Sequence, residues 1–197
     1  MNIKKQFIES QIQFSFHDSW DVVAFDKTKF YKTISGLGVK GVDFLGIHNQ
    51  QLYFIEVKNF NQYSSIIEKE FDFKAFRNNI IIKFEDSQRA IRLIHEHYAR
   101  KWWYSSSQYL PKRILSLFAK DFLFWEQCYK ILNNSTQNSR FILWIEHNFD
   151  TKTFSQQIVT PISLYFENSF STMNHAKNKK LDFGIKSLLL NKSRKAL

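Results

Sequence analysis

Apolar residues along this chain fall into short blocks separated by polar joints, and their spacing predicts the elements. Ile3, Phe7, Ile8 and Ile12 recur at helix-like steps, which predicts a first helix over residues 3–16. Residues 20–26 (WDVVAFD) read as a strand rich in β-branched and aromatic types, and residues 29–34 either continue it or form a second strand. The stretch 35–41 (SGLGVKG) holds three of the five glycines and reads as a loop. Two apolar runs follow, 42–47 (VDFLGI) and 52–57 (LYFIEV), and the short polar joint between them predicts a hairpin. Downstream, Ile80, Phe84, Ile91, Ile94 and Tyr98 mark the buried stripe of a long helical region over 66–101, with Asn78-Asn79 as a candidate break. A further helix is expected over 110–132 and a strand over 140–146. Another helix is expected over 161–177, opened by Thr160-Pro161, and a short strand over 182–190. The order predicts one α/β domain spanning residues 1–197, a central mixed sheet with helices on both faces.

Composition narrows the class. Hydrophobic residues make up 44% and charged residues 23%, which excludes wholesale disorder. No apolar run reaches the roughly 18 residues of a membrane span, so no membrane partner is expected. The start, MNIKKQFIES, has no apolar core after its lysines, so it does not read as a secretory signal. The single cysteine, Cys128, excludes an internal disulfide and a Cys-rich zinc site and reads as a core thiol. A cytoplasmic protein is expected. The net charge is +10, and residues 177–197 hold seven of the Lys and Arg residues against one acid. Such a cationic tail points to a polyanionic partner, because phosphate neutralisation releases counterions.

The hairpin carries the chemistry. With the turn centred on Asn49-Gln50, His48 faces Gln51, Ile47 faces Leu52, and the ladder ends with Asp43 facing Glu56. Opposed residues project on one face with Cβ atoms about 4.5–5.5 Å apart. Lys58, two residues beyond Glu56, shares that face. Both strands are otherwise apolar on both sides, so two carboxylates interrupt what reads as core. Burying them unpaired would cost several kcal/mol. Either Lys58 or a divalent cation must offset the charge, and Mg²⁺ suits hard oxygen ligands that leave room for water and phosphate.

The segment Gly41-Val42-Asp43, twelve residues and then Glu56-Val57-Lys58 resembles the active-site motif of the PD-(D/E)xK nuclease superfamily. The resemblance covers roughly residues 1–100, and Val42 stands where the superfamily usually has proline. It implies a restriction-endonuclease-like core and Mg²⁺-dependent hydrolysis of phosphodiesters, with Mn²⁺ as a substitute. It implies that Asp43 and Glu56 bind metal, that the Val57 carbonyl is a further ligand, and that Lys58 is the catalytic base or charge stabiliser. DNA is the expected substrate and endonucleolytic cutting the expected mode, with restriction or host defence as the analogous role. Cutting both strands would call for a homodimer. Many relatives add an acid from the first helix, for which Glu9 and Asp26 both qualify. Lys83 and Asp86, on the covering helix, read as solvated charges, with reach to the site or to a phosphate as the alternative. The alternative expectation is a nuclease-like component that binds nucleic acid within a larger assembly without cutting it.

Other signals carry less. Gly36 to Gly41 matches GxGxxG literally, but a dinucleotide fingerprint opens a helix, and this one opens a strand. It reads as a flexible approach to the active strand whose backbone lies near a phosphate. His95 and His97, two apart on a helix, face different ways and read as a solvated face.

Overall fold

The computed structural model describes residues 3–36, 38–61, 71–101, 104, 109, 111, 113–114, 121–134, 138–167, 169–175, 177 and 184–190. The expected Asn49-Gln50 turn forms, with both residues at positive φ (48° and 61°). This local twist suits a two-residue hairpin. It joins β4 (Phe44–His48) to β5 (Gln51–Asn59), paired from His48↔Gln51 to Phe44↔Ile55. That is the register inferred from the turn. With β3 (Asp21–Ala24), β6 (Ser139–Glu146) and β7 (Phe170–Met173), these strands form a five-stranded mixed sheet of order β3-β4-β5-β6-β7. Its first three strands are antiparallel and its last three parallel.

Helices cover one face of this sheet. α1 (Lys29–Ser35) is capped by the Thr28 hydroxyl, α2 (Phe73–Ala99) by Asp72, and α3 (Phe122–Asn134) lies alongside α2. Ile80, Phe84, Ile91 and Ile94 of α2 and Trp125 and Cys128 of α3 pack on Leu45, Phe54, Leu143 and Ile145 of the sheet. The other face is covered by a second sheet, which corrects the expectation of helices on both sides. β1 (Ile3–Glu9), β2 (Ile12–His17) and β8 (Ile185–Leu189) form an antiparallel sheet of order β1-β2-β8. Phe14 and Phe16 from it meet Phe44, Ile55, Val57 and Trp144 in a separate core. Each such fully buried side chain contributes roughly 1.5–3 kcal/mol.

The expected helix over 3–16 is therefore a hairpin. Alternation of Ile12, Phe14 and Phe16, all buried, outweighs the helix-like spacing of Ile3, Phe7 and Ile8. Ser10 and Gln11 supply its positive-φ turn. Residues 29–34 are helical rather than extended. α2 runs through Asn78-Asn79 unbroken, and the Asn79 side chain accepts from Lys40 Nζ at 2.8 Å instead of competing for backbone. The helix expected over 161–177 begins earlier and ends sooner. α4 (Thr151–Phe154) passes through a π-helical stretch (Ser155–Val159) into α5 (Thr160–Tyr165), and β7 follows. Pro161 has no N–H for the Gln157 carbonyl, which accepts from Arg77 at 3.3 Å instead. Residues 115–120 of the expected helix over 110–132, and most of the cationic tail (178–183 and 191–197), lie outside the described residues.

Gly46, in the middle of β4, is required by close approach. A Cβ there would sit 3.0 Å from two ring carbons of Trp20. That indole is buried, stacked on His48 at 4.7 Å and packed on Tyr53 at 4.8 Å, so it has nowhere to retreat. Gly46→Ala is expected to cost about 1–3 kcal/mol, read as a lower urea midpoint with an unchanged m-value.

Candidate metal centre

Asp43 sits just before β4, at the end of a loop held by three consecutive backbone N–H groups. Lys40 N–H donates to Asp86 Oδ2 (2.9 Å), Gly41 N–H to the Tyr31 hydroxyl (3.0 Å), and Val42 N–H to Ser87 Oγ (3.0 Å). Gly41 lies so close to Tyr31 that a Cβ would come within 2.6 Å of its ring. These contacts tie the loop to α1 and α2. They also correct two expectations: the loop amides are turned to protein acceptors rather than to a phosphate, and Asp86 anchors the loop backbone. Asp43 Oδ2 in turn accepts the Val57 N–H at 2.6 Å, across the strand pair.

Glu56 is wholly buried on β5, on the helix-covered face. Its Oε1 accepts from Lys58 Nζ at 2.5 Å and from Lys83 Nζ at 2.7 Å, the latter reaching down from α2. Its Oε2 has no hydrogen-bond partner among the described residues. Asp43, Glu56 and Lys58 thus meet where the hairpin register puts them. Lys83 joins them.

A second feature adjoins Asp43. Glu9, at the end of β1, and Asp26, in the single 3₁₀ turn Phe25–Lys27, each bring a carboxylate oxygen to Asp43, all three within 4.8 Å of one another. Both candidate third acids are therefore present together. Glu9 comes from a strand end rather than from a helix. Lys27 Nζ touches Glu9 at 3.3 Å, whereas Asp26 Oδ1 is buried without a hydrogen-bond partner among the described residues. Glu56 lies outside this trio and faces the lysines.

Burial, and then the nearby Glu56 carboxylate, pushes Asp43 up to about 7, despite the lysines and the Val57 N–H. Burial likewise raises Asp26, with Glu9 adding to it against Lys27 and Lys83. Lys83 is disfavoured as a cation by burial, but Glu56 and Asp43 outweigh that and hold it above its ordinary value. All three shifts are upward: burial and neighbouring acids favour the protonated carboxyls of Asp43 and Asp26, and the same acids favour the protonated amine of Lys83.

Elsewhere, His95 is not on a solvated face. It stacks on Tyr129 at 3.4 Å and meets Glu126 at 3.1 Å between α2 and α3. Cys128 is fully buried, which pushes its thiol up.

No family model, curated protein or solved structure matches the chain. Among the described residues, no helix is long and apolar enough to cross a membrane.

Proposed function

We propose that this chain is a Mg²⁺-dependent nuclease that hydrolyses DNA phosphodiesters, cutting within the strand. The observation that carries the reading is the convergence of Asp43, Glu56 and Lys58 at one end of the β4–β5 pair, with the Glu9 and Asp26 carboxylates against Asp43. The donor set fits a hard divalent cation. It offers carboxylate oxygens, and two of the oxygens in the cluster, Asp26 Oδ1 and Glu56 Oε2, are buried with no partner among the described residues.

Asp43 is the common member and would hold the ion, with Glu9, Asp26 and Glu56 as the remaining carboxylates around it. When bound, Mg²⁺ supplies charge neutralisation and Lewis-acid polarisation of a phosphoryl oxygen. Lys58 has the most exposed nitrogen-bearing side chain touching Glu56, at 27% exposure. Its ammonium orients the attacking water or offsets charge growing on the phosphate. Lys83 keeps Glu56 compensated while Lys58 turns to substrate. Asp86, Ser87 and Tyr31 hold the Asp43 loop still, so the carboxylate is positioned before substrate arrives.

One observation favours the non-cutting alternative. Glu56 is already balanced by two ammonium groups, so that half of the cluster has no need of an ion. A plasmid-nicking assay separates the readings. Nicking is expected with Mg²⁺ and not with EDTA, and Lys58→Ala is expected to lower its rate about a hundredfold. DNA retardation without cutting in any metal would support the alternative, and cutting indifferent to EDTA would overturn the nuclease reading.

A further inference from the structure

The three parallel strands end on the same side, and ligands of open α/β sheets bind at the carboxyl ends of such strands. Lys58 pairs directly with Ile145 on β6, so the two side chains point to the same face from strands about 4.8 Å apart. Ile145 is also part of the wall of a cavity of about 400 Å³ between the ends of β6 and β7 and the start of α4. The cavity therefore opens one strand away from the candidate catalytic lysine.

Its chemistry suits a base. His147, Phe149 and Phe154 line it as three rings within 32° of parallel, His147 lying 4.3 Å from Phe154 and 5.4 Å from Phe149. His147 and Phe149 line the cavity and are only half-buried, although Phe149 also packs on Phe60, Phe71 and Phe73. Thr172, on β7, is part of the wall, and Lys177, whose Nζ donates to the Thr172 carbonyl at 2.7 Å, brings a cation to the rim. Aromatic faces beside a positive charge are the combination that holds an unstacked nucleotide. A paired base inside a duplex has no free face to offer.

Resting on the nuclease reading, we infer that this cavity receives the unstacked base of a nucleotide next to the scissile phosphate, so that the strand is unpaired at that point when it is cut, whether supplied single-stranded or opened within a supercoiled plasmid. The test uses the whole chain in EDTA with an oligonucleotide of about twelve residues carrying one 2-aminopurine, a length within the range single-strand grooves cover. Binding is expected to quench the fluorophore as it stacks. His147→Ala should weaken binding about tenfold. His147→Phe, which keeps a ring, should retain the quenching. Thr151→Trp, at an exposed position on the cavity wall, should fill the space and abolish it, with the melting temperature confirming that each variant folds. Absence of quenching in the wild type, or full quenching in Thr151→Trp, would overturn the inference. So would equal weakening by His147→Ala for a blunt duplex. Because no cleavage is read, these outcomes are independent of the nicking assay. Quenching without Mg²⁺-dependent nicking removes the nuclease reading and leaves a base-binding cavity.

Discussion

Asp43→Asn is expected to abolish Mg²⁺-dependent cutting and, at the same time, to make the metal-free protein more stable above pH 7. Both effects follow from one carboxylate that is buried, faces Glu56 and belongs to a trio of acids. The sign of the stability effect comes from its raised pKa. The folded state binds the Asp43 proton more tightly than the unfolded chain does, with a value of about 7 against 3.8. That proton's contribution to stability is fully present below about pH 4 and is lost as pH rises through 7. Each tenfold change in proton affinity is worth about 1.4 kcal/mol, so ionising Asp43 in the folded protein costs a few kcal/mol. Asparagine keeps an oxygen for the Val57 N–H and carries no charge to bury. Its melting temperature at pH 8 is therefore expected to exceed that of the wild type by roughly 10 °C, at 2–4 °C per kcal/mol for a domain of this size. At pH 4 the two should coincide. The cutting rate should fall about a thousandfold, because the ion it would hold supplies several kcal/mol of charge stabilisation. Mg²⁺ should raise the melting temperature of the wild type most above pH 7, where no proton competes for Asp43, and should leave the variant unmoved. A variant no more stable than the wild type at pH 8 would remove the account of Asp43 as a costly buried charge.

The pairing of Asp43 with Glu56 was legible from the chain because a two-residue turn leaves one register, and strand period then carries Lys58 to the same face. Lys83, Glu9 and Asp26 could be named as candidates but not placed, for reasons of distance. Lys83 reaches Glu56 from a helix whose rotation depends on how Ile80 and Phe84 seat on the sheet. Glu9 approaches Asp43 because the β1–β2 hairpin folds under the main sheet, and Asp26 because β3 pairs with β4, Ala24 opposite Phe44, with the Phe25 N–H donating to the Asp43 carbonyl. The alternation of Ile12, Phe14 and Phe16 is a strand signal that also puts Glu9 beside a turn. The spacing of Ile3, Phe7, Ile8 and Ile12 competes with it, and packing against Phe44 and Trp144 decides between them. The second sheet depends on β2 pairing with β8, from Ile12↔Leu189 to Phe16↔Ile185, a contact between the two ends of the chain that no local pattern announces. The base-sized cavity beside Ile145 arises from the same non-local assembly. Part of its wall, Thr172 and Met173, is the end of β7, a strand lying within the helix expected over 161–177.

Glu56→Gln is expected to shift stability in the opposite direction to Asp43→Asn, although the two acids face each other across the same strand pair. Glu56 is the shared acceptor of Lys58 and Lys83, at 2.5 and 2.7 Å. Removing its charge leaves two ammonium groups close together in a largely enclosed space. Breaking such a buried network costs about 3–5 kcal/mol, and the partial exposure of both lysines favours the lower end. The melting temperature at pH 7 should therefore fall by roughly 10 °C. The deficit has a defined pH window. Glu56 helps hold Lys83 above 10.5 in the folded wild type, so the stability from that pairing persists across neutral pH and is lost only as pH rises past that value. The gap between variant and wild type should narrow above about pH 10.5 for that reason. Lys83→Met tests the origin of the loss. Alone it should destabilise, by leaving Glu56 with one partner. In the Glu56→Gln background it removes an orphaned charge and should restore part of the stability, a coupling of more than about 1 kcal/mol in a double-mutant cycle. Additive losses would mean that Lys83 and Glu56 do not depend on each other. Cutting should stay absent in the double variant, since restoring charge balance does not restore the missing carboxylate oxygen.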